Sequence, residues 1–184
     1  MAYASWSVVF GEQPSAAKWN ILGTNDASFN NGTGIANMAL NTTSISNPYK
    51  FSVYRSAAYS TASSAYTVLP FDAEHFDTNG NFDITTNKGR YTAPVNGFYF
   101  FSANYQVSNP AGYVYSKFYK NGSVVSIGQS NYYTTAQSVG SSATALLQLN
   151  AGDYIEFYYY VDGVKTMDVG SSSNKFSGFL VSQT

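Results

Sequence analysis

From Gly97 to Val107 the chain alternates with a period of two and carries aromatic rings on both sides of the alternation. Tyr99, Phe101, Ala103, Tyr105 and Val107 fall on one face, as a half-buried strand requires. The opposite face opens with Phe98 and Phe100, then turns polar at Ser102, Asn104 and Gln106. Pro94 and Gly97 punctuate the entry, since neither continues a helix and both suit a turn into a strand. A strand inside one sandwich needs a single apolar face, and half of this one has two. Phe98 and Phe100 must therefore be covered, either by another layer of the same chain or by a second subunit.

The same double-faced character returns twice. In Tyr154–Val161, Ile155, Phe157, Tyr159 and Val161 make one face, while Tyr154, Glu156, Tyr158 and Tyr160 make the other. In Tyr113–Tyr119 the tyrosines 113, 115 and 119 share a face. Further strands are expected at Phe51–Arg55, Tyr66–Leu69, Val124–Gly128, Ala143–Leu149 and Phe176–Val181, with tight turns at Asn121-Gly122 and around Gly152 and a hairpin at Asn79-Gly80. The first and last of these strands are expected to pair. Eight to ten strands without a helical period predict an all-β sandwich or jelly roll. Tyrosine couples apolar area to a hydroxyl that can stay hydrogen-bonded, so outward rings on three strands point to a sheet packed against copies of itself.

Residues 1–47 differ from the rest. Pro14 to Leu22 reads as one small helix, with Pro in its first turn and Gly23 after its end. Trp6, Phe10, Trp19 and Ile21 are more apolar surface than so short a piece can bury alone, so this segment is expected to dock on something else. The division expected is an attachment segment, 1–47, and a head, 48–184.

Three stretches resemble the globular head of complement component 1q: Tyr91-Thr-Ala-Pro-Val-Asn-Gly-Phe-Tyr-Phe-Phe101, Ala145-Leu-Leu-Gln-Leu-Asn-Ala-Gly-Asp-Tyr-Ile155 and Phe176-Ser-Gly-Phe-Leu180. Tyr91 departs from the family's usual Phe, and no Gly-X-Y collagen stalk precedes the head. The resemblance implies a ten-stranded antiparallel jelly roll of the tumour necrosis factor type, assembled as a homotrimer. It assigns Phe98, Phe100, Tyr158 and Tyr160 to the threefold interface, and the outward Tyr113 and Tyr115 join them. The run Val9–Ile35 resembles a short module of bacteriophage tail-fibre and minor tail proteins. Together the two resemblances imply a virion fibre tip or similar extracellular appendage, joined through the N-terminal segment to a fibre or tail protein. The N-terminus lacks a basic region followed by an apolar stretch, so no signal peptide is expected.

Composition narrows the chemistry. Only 10% of the residues are charged and the net charge is −1 with no basic block, which removes the electrostatic footprint of nucleic-acid binding. No run reaches the ~20 apolar residues of a membrane-spanning helix, so no membrane insertion is expected. Zero Cys leaves neither a disulfide scaffold nor thiolate metal sites. His75 is the single histidine and has no nucleophile in its neighbourhood. Asp72, Glu74, Asp77 and Asp83 are the one acidic cluster a glycosidase could draw on, and spacing alone brings no two of them together.

No catalytic residue and no cofactor is expected. Asp77, Asn79, Asn81 and Asp83 place oxygens at alternate positions like the first half of a calcium loop, but Phe82 stands where that loop needs Gly and Lys88 where it needs Glu. These four are weak calcium candidates, and the Asn79-Gly80 turn explains the segment without an ion. The polar run 128–137 is expected to be a recognition loop. There Tyr132 and Tyr133 would offer stacking surfaces, and Gln129, Asn131 and Gln137 two-way hydrogen bonding, to a cell-surface glycan or protein. The expected function is a non-enzymatic trimeric binding head. The alternatives are a purely structural trimerisation cap and a glycan-cleaving enzyme.

Overall fold

A computed structural model describes residues 47–62, 64–108, 111–134 and 138–184. The expected helix and the docking residues Trp6, Phe10, Trp19 and Ile21 lie outside these residues, as does Gln137.

The described residues form two antiparallel sheets. The first contains β1 (Lys50–Tyr54), β2 (Tyr59–Ser60), β4 (Ala73–Asp77), β7 (Gly97–Ser108), β10 (Ser138–Leu149), β12 (Thr166–Met167) and β13 (Lys175–Gln183). The second contains β3 (Thr67–Val68), β5 (Phe82–Asp83), β6 (Arg90–Thr92), β8 (Gly112–Lys120), β9 (Ser123–Tyr133) and β11 (Tyr154–Val161). The order β4-β1-β13-β7-β10 faces the order β5-β6-β11-β8-β9, so successive strands cross from sheet to sheet as in a jelly roll. The described residues hold thirteen strand segments, of which β2, β3, β5 and β12 are two-residue pieces.

The central strand carries the period read from the sequence. Tyr99, Phe101, Tyr105 and Val107 are buried against Ile155, Phe157, Tyr159 and Val161 of the second sheet, with Phe51, Phe118 and Phe176 filling the space between them. β1 pairs with β13, Lys50 opposite Phe179, which brings the two ends of the head together. Asn121 and Gly122 both take positive φ, 50° and 79°, and close the β8–β9 hairpin.

Two expectations are corrected. Asn79-Gly80 does not close a hairpin: β4 pairs with β1 in the first sheet and β5 with β6 in the second, so the turn carries the chain across the sandwich. Gly80 still supplies its positive φ of 64°. A tight turn reads the same whether the next strand returns beside its neighbour or leaves for the facing sheet. Residues 128–133 are not a loop either. They belong to β9, in register with β8 from Gly112↔Tyr133 to Tyr115↔Ser130.

Candidate functional site: two outer faces

The six residues expected at one interface lie on two surfaces. Phe98 and Phe100 stand on the outer face of the first sheet, because their neighbours Tyr99 and Phe101 point into the core. Leu146 sits opposite Phe100 on β10, and Phe179 sits opposite it on β13. Phe179 touches Phe100 at 5.7 Å between ring centroids. Leu146 is 62% exposed and Phe98 39%. Phe98, Phe100, Leu146 and Phe179 bear no hydroxyl, and Gln148 and Ser182, opposite Phe98 on β10 and β13, border them. Beyond Ser102 the same face becomes polar, as the sequence alternation required.

Tyr113, Tyr115, Tyr158 and Tyr160 stand on the outer face of the second sheet, on the far side of the sandwich, since Val114, Phe118, Phe157 and Tyr159 fill its inner face. Here the rings form a platform. Tyr132 meets Tyr113 at 4.8 Å, Tyr113 stacks on Tyr115 at 5.4 Å, and Tyr115 meets Tyr160 at 5.2 Å. Tyr66, just before β3, closes the row at 5.2 Å from Tyr160. A second stack, Tyr119 on Tyr158 at 4.0 Å, lies toward the other end of the strands.

Polar groups hold the platform in place. Asp162 accepts hydrogen bonds from the Tyr160 hydroxyl at 2.9 Å and from the Tyr113 amide at 2.8 Å. The hydrogen bond to that carboxylate raises the Tyr160 pKa above the usual phenol value, so this hydroxyl stays protonated. Lys117 places its Nζ 3.8 Å from the Tyr66 ring centre, a cation–π contact.

The recognition residues expected on one loop are dispersed by strand alternation. Tyr132 joins the platform at 60% exposure. Tyr133 turns inward and packs on the core. Asn131 donates to the Gly140 carbonyl on β10, and Gln129 lines a polar groove with Asn104, Gln106 and Ser142. Period-two alternation, applied through Tyr133, would have set Tyr132 apart from Gln129, Asn131 and Tyr133; Gly128, Ser130 and Asn131 disguised the strand as a loop. Tyr66 was missed as a member of the platform because its neighbours, Ala65 and Thr67, give no pattern of their own.

Glu156 was read as an outward residue and is buried at the surface of that face. Arg90 donates to its Oε1 through Nε at 3.0 Å and through a terminal nitrogen at 2.9 Å. The Arg90 guanidinium also lies 3.9 Å from the Tyr154 ring centre.

The oxygens of the 77–83 segment are engaged in turns. Asp77 accepts from the Phe82 amide at 2.7 Å, and Asn79 donates to Asn81 at 2.7 Å. Asp83 accepts from the amides of Thr85, Thr86 and Asn87, each at 2.8 Å, which holds its carboxyl well below the usual range. Each carboxylate therefore faces its own backbone, and among the described residues no three His, Cys, Asp or Glu gather as a metal site. His75 stacks on Tyr54 at 4.6 Å on β4.

The fold has known counterparts. The globular domain of zebrafish complement 1qA superposes with a TM-score of 0.57 at 19% identity, covering 74% of this chain and 99% of that one. Eiger, a tumour necrosis factor from S. frugiperda, gives 0.58 at 12% identity, covering 74% and 94%. Murine APRIL at pH 5.0 gives 0.58 at 7% identity, covering 72% and 98%. No curated protein matches the chain by sequence. The model of the C1q domain matches residues 50–181, most of the chain, and on that match the protein belongs to the C1q domain family.

Proposed function

We infer that this chain is a non-enzymatic, homotrimeric binding head, carried at the tip of a bacteriophage tail fibre or similar appendage and attached through residues 1–47. The observation that carries the trimer is the bare apolar face of Phe98, Phe100, Leu146 and Phe179. A threefold ring is built from heterologous contacts, so each protomer presents two different patches. Their directions must lie about 60° apart for three copies to close. The two outer faces of a sandwich point in opposite directions and cannot supply both.

The side of the sandwich supports the choice of a second patch. β9 and β10 are the edge strands of their sheets and meet there through side-chain bonds, Ser126 to the Thr144 carbonyl at 3.0 Å and Ser141 to the Gln129 carbonyl at 2.7 Å. This edge exposes Val124, Val125 and Ile127, the last at 71%. Seating the edge of one copy on the first-sheet face of the next would cover both surfaces with two patches that do not point in opposite directions. In this arrangement Tyr113, Tyr115, Tyr158 and Tyr160 face away from the threefold axis.

Binding is favoured over a purely structural cap by those outward tyrosines, for which a cap has no use. Light scattering in dilute buffer is expected to give about three chain masses; a mass of one chain ends this reading. The appendage is tested by identifying what residues 1–47 bind, with a fibre or tail protein the expected partner.

A further inference from the structure

The geometry points to the tyrosine row on the outer face of the second sheet as a binding site for a neutral, linear glycan. Tyr132, Tyr113, Tyr115, Tyr160 and Tyr66 touch in sequence and cross β9, β8 and β11 to the segment before β3, so the platform is a track rather than a single pocket. Tyr132 and Tyr113 head the row and are its exposed rings, and such rings suit linked pyranoses, whose flat C–H faces pack on aromatic surface while their hydroxyls meet the phenols along the row.

Charge decides the class of ligand. The track carries one acid and one base, each held on it: Asp162 accepts from Tyr160 and from the Tyr113 amide, and Lys117 lies on Tyr66. A single-stranded nucleic acid would need a cationic groove beside the rings, and the chain has a net charge of −1. The contrast with the first sheet argues against a second copy of this chain as the occupant. Phenylalanine and leucine there carry nothing that permanent burial would leave unbonded, whereas the phenols of the row, apart from Tyr160 on Asp162 and Tyr115 beside Ser130, would need partners inside a dry interface. A hydrated ligand supplies those partners.

This assignment deepens the binding-head reading and rests on it. The test is calorimetric titration of the full chain with cellohexaose, maltohexaose and mannohexaose, for wild type, Tyr132→Ala, Tyr113→Ala and Tyr132→Phe, with light scattering and a thermal midpoint for each. The wild type is expected to bind at least one hexaose. Each alanine variant should bind about tenfold or more weakly, the scale of losing one well-packed aromatic contact, and Tyr132→Phe should stay within about threefold. Tyr132 is mostly exposed, so its variants are expected to keep the wild-type mass and midpoint. Binding to none of the three, or binding that both alanine variants retain, overturns the glycan track while a three-chain mass leaves the trimer standing. A mass of six chains that falls to three in Tyr132→Ala would show a second copy on the row, and would overturn it as well.

Discussion

Tyr91 carries a hydroxyl into the core, where it has no hydrogen-bond partner among the described residues. Its ring stacks on Phe51 at 4.6 Å and lies 5.7 Å from Phe101, so the position is aromatic for packing reasons alone. Burial pushes its pKa far above that of an ordinary phenol. The other core tyrosines differ: Tyr99 donates to the Val95 carbonyl at 2.8 Å, and Tyr105 bridges the carbonyls of Tyr115 and Tyr160. An unpaired buried hydroxyl costs about 1–3 kcal/mol, so Tyr91→Phe is expected to raise stability by about 1 kcal/mol, while Tyr105→Phe lowers it by a similar amount. Urea midpoints of the two variants check both signs; a loss in Tyr91→Phe would mean that something bonds the hydroxyl. Asp153 makes a pH prediction. Lys120 at 2.8 Å, Asn121 at 2.7 Å and the Asn150 amide at 2.8 Å hold its pKa down to about 2. Its folded value lies below the unfolded one of about 3.9, so its contribution is complete above that pH and fades as the pH falls toward 2. Asp153→Asn should therefore be less stable than wild type at pH 7, with the gap closing near pH 2; a gap constant with pH in thermal melts would refute the linkage.

Gly178 shows how a motif becomes geometry at the scale of a strand. A Cβ there would lie 2.6 Å from Phe101 and 2.7 Å from Phe51, so β13 can cross these two rings because it lacks a side chain at that point. Gly178→Ala is expected to cost about 1–3 kcal/mol by overpacking, read as a lower denaturation midpoint. A Cβ on Gly152 would meet nothing within 4 Å, so Gly152→Ala should cost only the strain of its φ of 89°, about 1 kcal/mol. The long strands were legible because alternation and turn chemistry are local. Tyr154–Val161 has the bounds expected, and Gly97–Ser108 is one residue longer. β9 and β10 were cut short, because their polar and small residues, Gly128 to Asn131 and Ser138 to Ser142, obscure the alternation. Pairing was legible only where a hairpin or a motif implied it. The crossover at Asn79-Gly80 was hidden, since which sheet receives the next strand is settled by long-range packing.

At the scale of the whole molecule, one sequence property, aromatic rings outside as well as inside, resolves into two surfaces with different chemistry. Reading Phe98, Phe100, Tyr113, Tyr115, Tyr158 and Tyr160 as one interface followed from counting outward rings strand by strand, which does not say to which sheet a strand belongs. Sheet membership separates them, and closure of a threefold ring then allows only one of the two faces to pack on the edge of a neighbour. In the trimer proposed above, hydroxyl content favours the first-sheet face: phenylalanine and leucine lose nothing when dried, while phenols keep a demand for hydrogen bonds. Phe100 is the residue on which to test the choice, since it touches Phe179 and pairs with Leu146 at the middle of the patch. Phe100→Ser should move the light-scattering mass from three chains toward one, and Ile127→Ser should do the same from the opposite side of the same contact. Tyr158→Ser, on the other face, should leave the mass unchanged. If Tyr158→Ser dissociates the assembly and Phe100→Ser does not, the roles of the two faces are reversed, and the outer face of the second sheet must be read as the subunit interface.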